Sequence, residues 1–518
     1  MLLLAGLTAK VTGMVTTNST ATQPAEDYQA LRVETNGINV IPDVERKGAP
    51  RQLFWPWFGA NVSVFALSYG SFGLSFGVSF WQALIAGLLG IALSFLVCGF
   101  IALAGKRGSA PTMVLSRAPF GVRGNTLPAL LAWLVNVGWE TLLTILATLA
   151  TATVFDRLGW SAGTATKAIA LIVVAALIIA GGVMGFDLIM RMQAVITVVT
   201  GVLTVVYLVL VFGKIHWSAV SAHHAGSAQH VLGCFVLFFT GFGLGWAVMA
   251  ADYSRYLPRR ASSGGVVGWT AFGGAIAPAV LLVFGLLLAG SSDKLNSAIA
   301  ADPIGALAAE LDTWALVPFL IVVVLGLVGG AVLDIYSSGL ALLTAGLRVP
   351  RPVAAGIDGV IMVAGSIYVV FFADNFFLQF QGFLITLGVP IAAWCGVMLA
   401  DIALRRRDYA EPELFDPRGR YGSVRVLPVL CILVGTALGW GLVTNTLASW
   451  LTWQGYLLSP FGLGGKSGDW AFANLGVLVA LVLGFVVTLI ADRGPIRRQE
   501  SLPERQVSIP ERQEPMAG

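Results

Sequence analysis

Polar residues along this chain are sparse, and long apolar runs lie between them. Twelve such runs stand out, at approximately 54–79, 81–104, 127–154, 167–188, 192–212, 231–250, 265–289, 315–342, 355–373, 378–403, 425–444 and 472–491. Most reach the ~20 residues a helix needs to cross ~30 Å of hydrocarbon. Several carry glycine, as in "GGAIAPAVLLVFGLLLAG", which suits membrane helices that approach closely. The alternating segments of ~10 residues that mark a β-barrel are not visible. The pattern predicts an all-α integral membrane protein with twelve transmembrane helices.

Composition agrees. Of 518 residues, 57% are hydrophobic and 11% charged, against roughly 25% charged in soluble domains. The basic residues set an orientation. With the N-terminus in the cytoplasm, 22 of the 31 Lys and Arg fall on inside loops and flanks and five outside. That asymmetry predicts that both termini are cytoplasmic, and the expected location is the plasma membrane, as a multi-pass protein. The net charge of +4 then reports topology and gives no support to nucleic-acid binding. Cys98, Cys234, Cys395 and Cys431 fall in or beside apolar runs, as packing residues do. His216, His223, His224 and His230 share one predicted outside loop without the acidic or Cys companions of a metal site.

The expected organisation follows. Residues 1–50 read as a polar cytoplasmic tail. "MLLLAGLTAK" is too short for a span and lacks the basic start of a signal peptide. Residues 51–215 hold spans 1–5 and residues 228–404 spans 6–10. A cytoplasmic loop and spans 11–12 occupy 405–492, and 493–518 reads as a disordered cytoplasmic tail.

Polar groups inside the spans carry the functional signal. Span 1, "NVSVFALSYGSFGLSFG", is interrupted by hydroxyls and by Gly70, Gly73 and Gly77. Span 6 places Gly241, Gly243 and Gly245 within five residues, beside Phe242 and Trp246. Paired interruptions in corresponding spans point to two inverted five-helix repeats, with a ligand site between the breaks. Span 3 sets Trp139 beside Glu140, and span 8 carries Asp334. An acid inside a membrane span is a functional hypothesis by default, against the alternative of a protonated interhelical hydrogen bond. Adjacent helical residues are rotated by about 100°, so Glu140 is expected to face a neighbouring helix rather than the ligand of Trp139.

On these residues the chain resembles the nucleobase:cation symporter-1 family, of the purine–cytosine permease type. The resemblance covers roughly 45–495. It rests on "FWPWFGANVSV", "KRGSAPTMVLSRAPFGVRGN", "VGWE", "GFGLGWAVMAADYSRYLP" and "LDIYSSGL". It implies the leucine-transporter-like arrangement of two inverted five-helix repeats plus two C-terminal helices. The implied substrates are small planar heterocycles: cytosine, purines, uracil, allantoin, hydantoins or thiamine. It places substrate contacts at Phe65, Ala66, Ser68, Trp139, Phe242, Gly243, Trp246 and Asp334. The chain departs from the hydantoin-type pattern in three ways. A glutamine after the span 3 tryptophan becomes Leu143, the span 6 tryptophan falls on Gly243, and two hydroxyls that serve sodium become Val328 and Gly329.

The expected function is therefore import of cytosine or a purine by proton symport, with Asp334 and Glu140 as proton-coupling residues and sodium less favoured. No cofactor or metal is implied, and the expected partners are the small-molecule nucleobase and the lipid bilayer. Nothing in the sequence specifies an oligomeric state. Competing readings are a permease for another heterocycle, a channel, and a membrane-embedded enzyme. The last is disfavoured because no metal cluster, phosphate loop or nucleophile motif is present.

Overall fold

Apolar runs in lipid must pair their backbone groups internally, which favours helices. The computed structural model describes residues 33–373 and 376–503, and those residues form helices and no strand. The first span is split. Helix α1 (Phe54–Asn61) and helix α2 (Ser68–Leu74) are separated by the non-helical pair Val62–Ser63 and a 3-10 turn, Val64–Leu67. Helices α3 (Phe80–Gly108), α4 (Thr126–Arg157), α5 (Thr164–Met184) and α6 (Phe186–Val211) follow. The sixth span is also broken. Its first part is α7 (Ala228–Phe239), followed by a wide turn at Thr240–Leu244 and a 3-10 turn at Ala247–Met249, and it ends in α8 (Ala250–Ser254). Then come α9 (Ser263–Gly290), α10 (Leu316–Ala345), α11 (Arg351–Phe372), α12 (Phe376–Leu404), α13 (Val426–Gly441) and α14 (Leu475–Ala491).

Among the described residues, nine helices are singly long and apolar enough to cross a membrane. All twelve predicted runs are helical, but not every one is a full-length span. The first is divided, α13 has 16 residues, and α14 bends by 55° into α15 (Arg493–Ser501). Two groups of helices pack around the broken spans. Helix α4 lies along α10, with α5 and α11 against both, while α3 lies along α9 with α7 and α8.

The break in span 1 does not fall on its glycines. It falls at Val62–Ser63, where Ser63 Oγ accepts a hydrogen bond from Phe65 N at 3.3 Å. Gly70 serves helix crossing instead: a Cβ there would lie 2.1 Å from the Gly285 carbonyl carbon of α9. The loop after α3 is held by side chains from several elements. Asp252 Oδ1 accepts from Thr112 N (2.7 Å) and Thr112 Oγ1 (2.8 Å), and Trp394 Nε1 donates to Ser116 Oγ at 2.9 Å.

Both expected tails are partly ordered. Residues 33–50 dock on the helices, with Ile41 buried and its N–H donating to Ser109 O at 2.8 Å. The segment from Arg493, expected to be disordered, is helical to Ser501. There Gln499 Oε1 accepts from Arg405 Nη2 at 2.9 Å and Glu500 Oε1 accepts from the Arg406 and Arg407 amides. Residues 1–32 and 504–518 lie outside the described residues.

Candidate functional site between the two breaks

A helix that is interrupted frees backbone N–H and C=O groups that an intact helix would pair internally. At the span 6 interruption Phe242 departs from helical geometry, with φ −115° and ψ −113°. Together with the span 1 break it borders a cavity. Span 1 contributes Ala60, Asn61, Ser63, Phe65, Ala66 and Tyr69. Span 3 adds Trp139 and Leu143, span 6 adds Gly241, Phe242, Gly245 and Trp246, and span 8 adds Gly326 and Asp334.

Aromatic rings dominate the walls. Tyr69 and Phe242 have centroids 4.5 Å apart, and Phe65 meets Tyr69 edge-on at 5.9 Å. Trp246 stands edge-on to Trp57 at 6.0 Å, and its Nε1 donates to Asn61 Oδ1 at 3.1 Å. Trp139 meets Phe380 edge-on at 6.2 Å. Against these rings lies the one carboxyl among the described lining residues. Asp334 is 2% exposed and its Oδ2 has no hydrogen-bond partner. A buried polar atom left unpaired costs about 1–3 kcal/mol or more when charged, so this oxygen is suited to a ligand's N–H.

Six of the eight expected contact residues therefore line the cavity: Phe65, Ala66, Trp139, Phe242, Trp246 and Asp334. Two do not. Ser68 is fully buried with its Oγ donating to Phe65 O at 2.6 Å, because the turn that ends the break consumes its hydroxyl. Gly243 points to α3: its N–H donates to Ser94 Oγ at 3.0 Å, and a Cβ there would lie 2.3 Å from the Ser94 carbonyl carbon. Sequence reasoning does not single out Tyr69 or Asn61. Asn61 closes α1 and Tyr69 lies in the first turn of α2, and only the folded path of span 1 brings both to the cavity.

Glu140 faces away from the cavity, as its rotation from Trp139 requires. It is fully buried, 3.4 Å through Oε2 from Ser338 Oγ, which also lies 2.8 Å from Asp358 Oδ2. Sequence reasoning misses Asp358, although an acid within the predicted span 355–373 is a sufficient signal.

Where α1, α6 and α10 meet, Gln193 Nε2 donates to Gly329 O at 2.6 Å. A Cβ on Gly59 would lie 2.3 Å from Gln193 Oε1, so the amide fills the space between the first and eighth spans. Among the described residues no group of three or more His, Cys, Asp or Glu could hold a metal ion.

Comparison with known proteins gives a consistent assignment. Residues 40–461 match the family described as permeases for cytosine/purines, uracil, thiamine and allantoin. "Putative purine-cytosine permease YxlA" of Bacillus subtilis (strain 168) is 24% identical over 469 residues, 88% of this chain and 96% of that protein. Mhp1, a nucleobase-cation-symport-1 family transporter in a closed conformation with bromovinylhydantoin bound, has a similar fold. Its TM-score is 0.65 at 18% identity, over 90% of this chain and 99% of the other. A Na+-coupled sialic acid symporter in a substrate-bound outward-open state matches at TM-score 0.57 and 12% identity, over 86% and 91% of the two chains. The fold is thus the leucine-transporter-like arrangement, and the protein is a multi-pass transporter rather than an enzyme. Since the family match runs through both broken spans and the loop between α3 and α4, the chain belongs to the family of permeases for cytosine/purines, uracil, thiamine and allantoin.

Proposed function

We propose that this protein imports cytosine or a purine base by proton symport, across a plasma membrane in which both of its termini are cytoplasmic. The observation that carries the reading is the unpartnered Asp334 Oδ2 in an aromatic cavity. A flat base sandwiched by indole and phenyl faces gains stacking energy. A carboxylate at the ring edge accepts hydrogen bonds from adjacent ring and exocyclic N–H groups. Guanine presents such a pair at N1–H and its exocyclic amine, and cytosine does so in its N3–H tautomer, whereas the N3–H of uracil is flanked by carbonyls. Asp334 meets the substrate edge, and Asp334 and Glu140 supply the ionisable groups for the proton.

The reading of the coupling ion rests on donor chemistry. Sodium prefers oxygen ligands, and Val328 and Gly329 supply no side-chain oxygen where hydroxyls would serve it. The Gly329 carbonyl is already engaged by Gln193. Uptake should therefore persist without sodium and collapse with a protonophore. The test is a binding screen over cytosine, adenine, guanine, hypoxanthine, uracil and allantoin, followed by uptake into vesicles. Preferred binding of allantoin or uracil would move the substrate to another heterocycle, and strict sodium dependence would overturn proton symport.

A further inference from the structure

We propose that Glu140, Ser338 and Asp358 form a proton relay separate from the substrate cavity, with Glu140 holding the coupled proton and Asp358 receiving it on the way to the cytoplasm. This rests on the proton-symport reading above.

The hydrogens available to these three side chains can be counted. Ser338 Oγ lies 2.8 Å from Asp358 Oδ2, 3.1 Å from Ile335 O and 3.4 Å from Glu140 Oε2. A hydroxyl has one proton to give and lone pairs to accept with. Its shortest contact is to Asp358, whose other oxygen, Oδ1, accepts from Trp133 Nε1 at 2.8 Å. Asp358 thus has two donors and is served as a carboxylate. Glu140 has no such service: its Oε1 is buried without a partner and Oε2 faces an oxygen whose proton is committed. A charged Glu140 would be a buried, unsatisfied anion, so the arrangement is satisfied when Glu140 carries a proton and donates it to Ser338 Oγ.

That chain, Glu140 O–H to Ser338 Oγ–H to Asp358, also defines a transfer. The Glu140 O–H bond breaks as a new O–H forms on Ser338. The original Ser338 O–H breaks as one forms on Asp358 Oδ2. Glu140 ends as the anion and Asp358 as the acid, with the serine unchanged. Asp358 lies seven residues from Arg351, the first residue of α11, a rise of about 10 Å. With Arg351 at the cytoplasmic face, the relay runs from the middle of the membrane toward that side.

The neighbouring ionisable groups leave the pair without a counter-ion. Asp334 lies one turn before Ser338 on α10. From α8, Tyr253 reaches Ser337 at 3.4 Å, on another face of α10, and Asp252 on the same helix is held by Thr112. Among the described residues no Lys, Arg or His forms an ion pair with Glu140 or Asp358.

The test uses the full chain in proteoliposomes containing a pH-sensitive dye, with a mixture of cytosine, adenine, guanine, hypoxanthine, uracil and allantoin as substrate. Wild type is expected to acidify the lumen on substrate addition. Glu140→Gln and Asp358→Asn should retain substrate homoexchange, which needs no net proton movement, and lose most of the acidification. Ser338→Ala should slow acidification, and Ser338→Thr, which keeps a hydroxyl, should restore it. Wild-type acidification in Glu140→Gln or Asp358→Asn overturns the relay and leaves proton symport standing. Loss of exchange together with acidification in all of the relay variants also overturns it, since the role would be structural. Exchange without acidification in wild type overturns both the relay and proton symport.

Discussion

The indole of Trp246 is held by Asn61. One side-chain amide spans both interruptions, its Oδ1 accepting from Trp246 Nε1 at 3.1 Å and its Nδ2 donating to Trp57 O at 2.8 Å. Asn61 is the last residue of α1, so the end of the first half-helix fixes the plane of a cavity wall in the sixth span. Asn61→Ala should leave the indole N–H without its partner and destabilise the fold by about 1–3 kcal/mol. Base affinity should fall with it. A thermal unfolding series with and without substrate checks both, and an unaltered midpoint would show that the amide does not brace the breaks.

Trp139 lines the cavity, where we propose that its ring stacks on the substrate. Trp139→Ala should weaken base binding by on the order of 1–3 kcal/mol, the scale of base–aromatic stacking elsewhere. Trp139→Phe should be milder, because a smaller ring still stacks. Isothermal titration measures this directly, and an unchanged Kd in the alanine variant would exclude stacking.

Asp334 lines the cavity with an unpartnered Oδ2, which we propose as the acceptor for the substrate edge. Asp334→Ala should abolish uptake while the protein still inserts in the membrane. Asp334→Asn replaces one acceptor oxygen with an N–H donor, so it should favour bases that present a mixed donor and acceptor edge. Competition uptake across the six heterocycles reads the change. Uptake equal to wild type in the alanine variant would remove Asp334 from the site.

Glu34, in the segment before α1, gathers the ends of several helices. Its Oε1 accepts from Arg255 Nη2 (3.3 Å), Tyr336 OH (3.2 Å) and Tyr256 OH, and its Oε2 accepts from Phe186 N at 2.8 Å. The Arg255 and Arg351 side chains beside it are fully buried. Removing one partner of a buried ion pair is strongly destabilising, so Glu34→Ala should cost on the order of 3 kcal/mol. Denaturation in detergent would register it, and a loss below the error of that measurement would show that Glu34 does not hold these helices together.

Helix crossing through glycine can be tested by contrast within one element. Gly285→Ala places a Cβ 2.2 Å from Leu67 O, and the facing Gly70→Ala meets Gly285 as closely. Each should destabilise by about 1–3 kcal/mol or more through overpacking. A Cβ added at Gly268, on the same helix as Gly285, would meet no atom within 4 Å, so Gly268→Ala should be neutral or mildly stabilising. Equal effects at Gly268 and Gly285 would argue against close packing as the reason for these glycines.

The sequence alone determined the solvent, the helical class and the order of the spans, because those depend on summed hydrophobicity over ~20 residues and on period, both local properties. It also located the span 6 break, since Gly241, Gly243 and Gly245 remove helix preference at one point. It turned Glu140 away from Trp139, since angular position on a helix follows from spacing alone. Tertiary structure decided the rest. The span 1 break falls at Val62–Ser63, where Ser63 caps the following turn, while Gly70 packs where α2 crosses α9, and glycine spacing cannot distinguish crossing from unwinding. Gly243 leaves the site because α3 comes close enough for Ser94 to take its N–H. Asp358 joins Glu140 only through Ser338, across residues that are distant in sequence. Such pairings depend on which helix faces meet, and a hydrophobic pattern that is apolar all round does not encode that choice in any single span.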